Sequence, residues 1–153
     1  MNAKDIMVEN VITVPTGMEI EELCDLMQMH KIKGAPVVDD HKHLIGIVTQ
    51  DDIIYGRLGL REDVKEGRDI SELFKTGFAP VSKREEKGPR LVGEIMTSPA
   101  ISADEGTEVE ELCRTMWTLR IHRIPIVRDG RVTGIVSSMD LCKAIATGLI
   151  RLD

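Results

Sequence analysis

The sequence predicts a mixed α/β protein made of two copies of one β-α-β-β-α unit, and three observations carry that reading. The first is an internal repeat. Sliding the 153-residue chain on itself by 89 positions lays IMVENVITVPTGMEIEELCDLMQMHKIKGAPVVDD over IMTSPAISADEGTEVEELCRTMWTLRIHRIPIVRD. Ile6 falls on Ile95, Met7 on Met96, Gly17 on Gly106, Glu21 to Cys24 on Glu110 to Cys113, and Pro36 on Pro125. The second is a repeated phrase, GIVTQDDI from Gly46 and GIVSSMDL from Gly134, brought into register by one residue fewer in the second hairpin. The third is a change of apolar spacing within each copy, from alternation to helical periodicity and back.

Each element has a local reason. Val11 to Val14 alternates toward a strand. Thr16 and Glu19 then have capping-box spacing ahead of an amphipathic helix with Ile20, Leu23, Cys24 and Met27 on one face. APVVD and LIGIVT are short β-branched runs joined by a turn at Asp39 to His43, and in the second copy Asp129-Gly130 is the corresponding hairpin signal. After Thr49 and Ser137 the pattern turns helical again, through Asp52, Ile53 and Ile54 in one copy and Asp140, Leu141 and Ile145 in the other. Between the copies, REDVKEGRDISELFKTGF suits a short helix capped at Asp69 or Ser71 that buries Ile70, Leu73 and Phe74. PVSKREEKGPR, charged and broken by proline and glycine, reads as a mobile linker.

Composition narrows the function classes. A formal net charge of -6 disfavours whole-surface attraction to nucleic acid or anionic membranes, so any anion site must be local. No apolar run approaches the roughly 18 to 20 residues that a membrane span needs, and the opening residues contain no secretory pattern, so membrane insertion is not expected and the expected location is the cytoplasm. Cys24, Cys113 and Cys142 form no C-x-x-C pair and read as small buried apolar residues. His41 and His43 sit beside Asp39 and Asp40 on a turn with no further fixed ligand, which favours a solvated loop over a metal site. Met27 and Met116 read as core, and Met29 as a contributor to an interface. No phosphate-binding loop, dinucleotide fingerprint, zinc-protease or nucleophile-elbow motif is present, and catalysis is not expected. Thr49 with Asp52, and Ser137 with Asp140, have the spacing of a capping box, which by itself explains them as helix starts.

The segment IMTSPAISADEGTEVEELCRTMWTLRIHRIPIVRDGRVTGIVSSMDL resembles a cystathionine-β-synthase (CBS) domain, and IMVENVITVPTGMEIEELCDLMQMHKIKGAPVVDDHKHLIGIVTQDDI is similar to a second. The shared features are an Ile-Met start, an acidic helix, a basic stretch before h-P-h-V, and G-h-V-[ST]-x-x-D, in one order, twice. The resemblance implies a first domain at 1–56, a charged linker at 57–92 and a second domain at 93–153, paired about a pseudo-twofold axis. It also implies two clefts, which in many members hold adenosine-containing ligands such as AMP, ADP, ATP or S-adenosylmethionine. With no catalytic or transport domain attached, the implied role is a stand-alone regulatory module. It would sense such a ligand, form a homodimer and modulate an unidentified partner protein. The alternative is a dimerisation or interaction scaffold.

The same resemblance assigns site residues. Asp52 and Asp140 take the ribose hydroxyls, because a carboxylate accepts two hydrogen bonds from a diol. Thr49 and Ser137 take ribose or phosphate contacts where a strand gives way to a helix N-terminus. The base is expected near the backbone of Ile12 or Ile101. LRIHRIP brings Arg120, His122 and Arg123 together, and HKIKGAP has Lys31, Lys33 and, opposite Arg123, Gly34. Arginine can hold phosphate in two-point contact and glycine cannot, so His122 and Arg123 are the stronger phosphate candidates and the second copy the better site. Exposed cations at a helix C-terminus are the plainer reading of the same residues.

Overall fold

A computed structural model describes residues 1–58 and 88–151. The expected helix near Asp69 or Ser71 and most of the charged linker lie outside the described residues. The first unit runs α1 (Ala3–Ile6), α2 (Ile20–His30), β1 (Gly34–Val38), β2 (Leu44–Thr49) and α3 (Gln50–Leu58). The second runs α4 (Val92–Ile95), β3 (Ala103–Asp104), α5 (Val109–Leu119), β4 (Arg123–Arg128), β5 (Arg131–Ser137) and α6 (Ser138–Ala146).

β1 pairs antiparallel with β2, and β4 with β5, each with a register shift at the same place, Val37/Val38 and Ile126/Val127. β3 adds a parallel strand beside β4. Its counterpart in the first unit is smaller than the alternation of Val11 to Val14 suggests: a single parallel bridge joins Val14 to Val37. The pairing stops at Pro15, whose fixed φ and missing N–H suit it poorly to a strand. At the hairpin turns, Asp39 caps its own loop by accepting the N–H groups of His41 and His43 at 2.8 and 2.9 Å. Asp129 and Gly130 both have positive φ, as a two-residue turn requires. The tips of the two hairpins then touch, with Leu44 N–H donating to Gly130 O at 2.9 Å and Val132 N–H to Lys42 O at 3.3 Å.

The units exchange their opening segments. α1 belongs to the first copy by sequence, yet Ala3 is buried in the second core with Val109, Leu112, Met116, Ile124, Ile126, Val136 and Leu141. α4 belongs to the second copy, yet Val92 and Ile95 are buried in the first core with Val14, Ile20, Leu23, Met27, Ala35, Val37 and Val48. Backbone bonds repeat the exchange in both directions: Ala3 N–H to Thr107 O at 2.8 Å and Val92 N–H to Met18 O at 2.9 Å. Burying Val92 or Ile95 contributes about 1.5 to 3 kcal/mol each and the Ala3 methyl about 0.8, with Ile6 and Met7 partly buried beside it, so each core draws on residues contributed by the other copy.

Two local expectations change. α2 begins at Ile20 with Glu19 at its cap position and no side-chain cap. Its first N–H goes to Arg90 O of the incoming segment at 2.9 Å, so the crossover does what the Thr16–Glu19 box was expected to do. The cysteines are exposed, not buried. Leu23 and Met27 point at the core one turn apart, and Cys24, about 100° further round the helix, falls on the flank. Cys113 repeats this beside Leu112 and Met116.

Candidate functional site

The repeated phrase ends each hairpin at the start of a helix. In the second unit the Ser137 N–H donates to Asp140 Oδ2 at 2.7 Å, the Ser137 hydroxyl donates to the same oxygen at 2.5 Å, and Asp140 N–H returns to Ser137 Oγ at 3.3 Å. In the first unit Thr49 and Asp52 make the same three bonds, at 2.8, 3.2 and 3.4 Å. Both pairs are therefore helix caps. The cap uses one carboxylate oxygen, Oδ2, and leaves Oδ1 to be accounted for separately.

The glycine of the phrase has a tertiary cause. A Cβ on Gly46 would stand 2.7 Å from the backbone oxygen of Thr97 and 3.1 Å from the Met96 sulfur. A Cβ on Gly134 would run into the Met7 side chain, 2.8 Å from its Cγ. The crossover of one unit lies directly on β2 or β5 of the other, joined by reciprocal backbone bonds between Ile47 and Thr97 (3.0 and 2.8 Å) and between Val8 and Ile135 (2.9 and 3.1 Å).

A cleft of about 350 Å³ opens beside the second cap. Ser137, Ser138 and Asp140 line it at the N-terminus of α6, His122 and Arg123 at the start of β4, and Lys33 and Gly34 across from them on the first unit. Of the sequence-derived site residues, Ser137, Asp140, His122, Arg123 and Lys33 thus share one cleft. The volume lies within the range of small-molecule sites, about 300 to 1,000 Å³. The N-terminus of nine-residue α6, with the positive end of its dipole, lies at this cleft, where Ser138 N–H already donates to His122 O at 3.0 Å and Asp140 N–H to the Ser137 hydroxyl. Burial pulls the Arg123 guanidinium down from its usual range, while the carboxylate of Asp51 opposes that shift.

The remaining assignments fall elsewhere. Arg120 ends α5 in a left-handed conformation and lines a groove between α5 and α6, with Trp117, Cys113 and Cys142. Ile101 is 46% exposed in the segment before β3 and Ile12 precedes Val14; neither is among the residues lining the Ser137 cleft. Thr49 and Asp52 lie at the other cap, where the Thr97 hydroxyl donates to Asp52 Oδ1 at 3.1 Å. Gly34 has a role that its sequence position did not suggest. A Cβ there would come within 3.2 Å of Arg123 Cδ, so the missing side chain leaves room for the arginine stem of the other unit.

Sequence reasoning missed Val8 and Thr97. They are equivalent in the repeat, but each acts in the opposite unit: Val8 lines the Asp140 cleft, and Thr97 reaches Asp52. The repeat alignment puts the two side by side; nothing local says that their segments cross over.

A duplicated pair of units that exchange segments and frame a polar cleft at a helix N-terminus defines a paired-repeat module. Comparison with known proteins makes it specific. The model of the CBS domain matches residues 3–59 and 92–147, and the chain belongs to the CBS-domain family as a tandem pair. The uncharacterized protein MJ1426 of Methanocaldococcus jannaschii is 30% identical, with 95% of this chain and 91% of that protein covered. The crystal structure of the CBS domain pair of protein MJ0100, in complex with 5'-methylthioadenosine and S-adenosyl-L-methionine, superposes with a TM-score of 0.71 at 26% identity, covering 97% of this chain and 98% of the other. That of CBSX2 in complex with AMP superposes at 0.72 with 21% identity over 97% and 98% of the two chains, a likeness of fold. Other relatives are longer: the chain spans 42% of MJ1225 and 23% of an inosine-5'-monophosphate dehydrogenase, both of M. jannaschii. Among the described residues no helix is long and apolar enough to cross a membrane.

Proposed function

We propose that this CBS pair binds an adenosine-type ligand in the Asp140 cleft and passes its occupancy to a partner as a regulatory module. The observation that carries the reading is the convergence of Asp140, Ser137, His122, Arg123 and Lys33 on one cleft at a helix N-terminus. A ribose is the chemistry for the carboxylate, and a phosphate tail for the arginine, the lysine and the positive end of the helix dipole. The bound 5'-methylthioadenosine and S-adenosyl-L-methionine of the MJ0100 pair support the adenosine half of this reading. Lys31, Lys33 and Arg123 on the cleft lining favour a phosphate over the cationic sulfonium of S-adenosylmethionine. Because Lys33 comes from one unit and Arg123 from the other, a ligand spanning them biases how the units sit together, which is a population shift with a physical handle.

The signal needs a surface. Met29, Trp117 and Met139 are 74, 73 and 72% exposed, and apolar grooves of about 640 and 510 Å³ run between α2 and α3 and between α5 and α6. Such faces suit a homodimer, and they are also what favours the second reading, an interaction scaffold without a physiological nucleotide.

Thermal unfolding with AMP, ADP, ATP and S-adenosylmethionine tests the proposal. A ligand at a hundred times its Kd adds about 2.7 kcal/mol of stability. A phosphorylated ligand should raise Tm more than S-adenosylmethionine at equal concentration. No shift with any of the four leaves the scaffold reading in its place.

A further inference from the structure

The two caps are alike, but what lies over them is not. At the first cap, the incoming segment of the second copy is held by two side-chain hydroxyls: Thr97 donates to Asp52 Oδ1 at 3.1 Å and Ser98 to Ile45 O at 2.9 Å. Thr49 already supplies two donors to Asp52 Oδ2, so both carboxylate oxygens accept from the protein itself. At the second cap, the incoming segment of the first copy makes the same backbone bridge but presents Val8, whose side chain has no donor. Among the described residues Asp140 Oδ1 accepts no hydrogen bond. Lys31, Lys33, His122 and Arg123 line the Asp140 cleft.

We infer that Thr97 is a specificity-determining residue: its hydroxyl takes the place of a ribose hydroxyl on Asp52, so that the chain binds one nucleoside, at Asp140. The inference rests on the adenosine-binding reading above and adds to it the number of sites and the residue that sets it. A nucleoside approaching Asp52 must displace a hydroxyl already bonded to the carboxylate, whereas among the described residues no donor stands on Asp140 Oδ1. Covalent attachment favours Thr97 in that competition, since its backbone is tied to Ile47 by two bonds and it is delivered at no cost in translational freedom.

Isothermal titration of the full chain with AMP and with 5'-methylthioadenosine tests this. The wild type should take one equivalent per chain, lost in Asp140→Asn and retained in Asp52→Asn. Thr97→Val, at an exposed position and therefore expected to fold, should reveal a second equivalent with affinity for the first cleft raised roughly 3- to 10-fold, the worth of one exposed hydrogen bond. Val8→Thr should weaken the second cleft by a similar factor. Two equivalents in the wild type, loss of binding in Asp52→Asn alone, or a Thr97→Val chain that still takes one equivalent overturns the inference while the adenosine reading stands. If neither nucleoside binds the wild type, the adenosine reading fails, and the inference fails with it. Circular dichroism melts of Asp140→Asn and Asp52→Asn separate loss of a ligand contact from loss of a cap, because both carboxylates cap a helix and only one is expected to matter for binding.

Discussion

Over Asp52 the crossover segment brings a threonine and a serine; over Asp140 the equivalent segment brings Val8 and Glu9. The helix caps beneath make the same three bonds and differ chiefly in the hydroxyl bond, 3.2 Å from Thr49 and 2.5 Å from Ser137. Duplication therefore built two equivalent frames, and the exchange of opening segments let a change in one copy alter the chemistry of the other copy's cleft. Thr97 belongs to the second unit by sequence and to the Asp52 cap of the first by position. A pair of units that kept their own opening segments would have to change each site from within.

The two crossovers also differ in how deeply they dock, and substitutions can test that difference. The largest effect is expected in the cores. Ile95 of α4 is fully buried in the first core, whereas its equivalent Ile6 of α1 is only half-buried against the second. Ile95→Ala should cost about 2 to 5 kcal/mol and Ile6→Ala about 1 to 2, read as the shift in urea unfolding midpoint. Equal costs would mean that the two segments are anchored alike and that the asymmetry is confined to the clefts.

A smaller effect is expected where the crossovers touch the sheets. Gly46→Ala sets a methyl group against the backbone oxygen of Thr97, a residue whose N–H and C=O are both bonded to Ile47, and Gly134→Ala sets one against a methionine side chain that can change rotamer. The first should cost about 1 to 3 kcal/mol and the second less than about 1. Thermal unfolding of the two variants decides it, and the reverse order would show that the Met7 packing is the stiffer.

The smallest effect is electrostatic and concerns the first crossover. Glu94 accepts the N–H groups of Leu91 and Arg90 at 2.7 and 2.9 Å, and these bonds hold its carboxyl below the ordinary value of 4.5. The unfolded chain therefore binds more protons than the folded one as pH falls through this range. The contribution is complete above the unfolded value and is lost as pH falls through the lower folded value. Glu94→Gln, whose neutral amide resembles the protonated acid, should flatten the acid limb of a stability-versus-pH curve by lowering the neutral plateau slightly, with stability at low pH close to the wild type. An unchanged acid limb would mean that solvent screens this exposed group completely.

Much of this fold is legible locally. The repeat, the hairpins with Asp39 and Asp129-Gly130 at their turns, and the helices after Thr49 and Ser137 all follow from spacing and turn chemistry, because the contacts that decide them lie within a few residues. The site is legible in part. Ser137, Asp140, His122 and Arg123 lie on the adjacent chain ends of one hairpin and its following helix, so local pattern keeps them close. Lys33 joins them only across the two units. Gly34 read as a missing phosphate ligand, and in three dimensions it makes room for Arg123. The cysteines show the limit in the other direction: a helical face drawn to include Cys24 is too wide by one residue, and burial stops at Leu23 and Met27.

The sequence by itself determined that there are two units, what each is made of, and which carboxylate and hydroxyl start each closing helix. These are matters of period and of contacts three or four residues apart. The tertiary structure alone decided that each unit closes its core with the other's opening segment, and hence that Thr97 stands over Asp52 and Val8 beside Asp140. The physical reason is range. The hydrogen bond from Thr97 to Asp52 spans 45 residues of chain, and no pattern shorter than the crossover that delivers it can say which half will receive it.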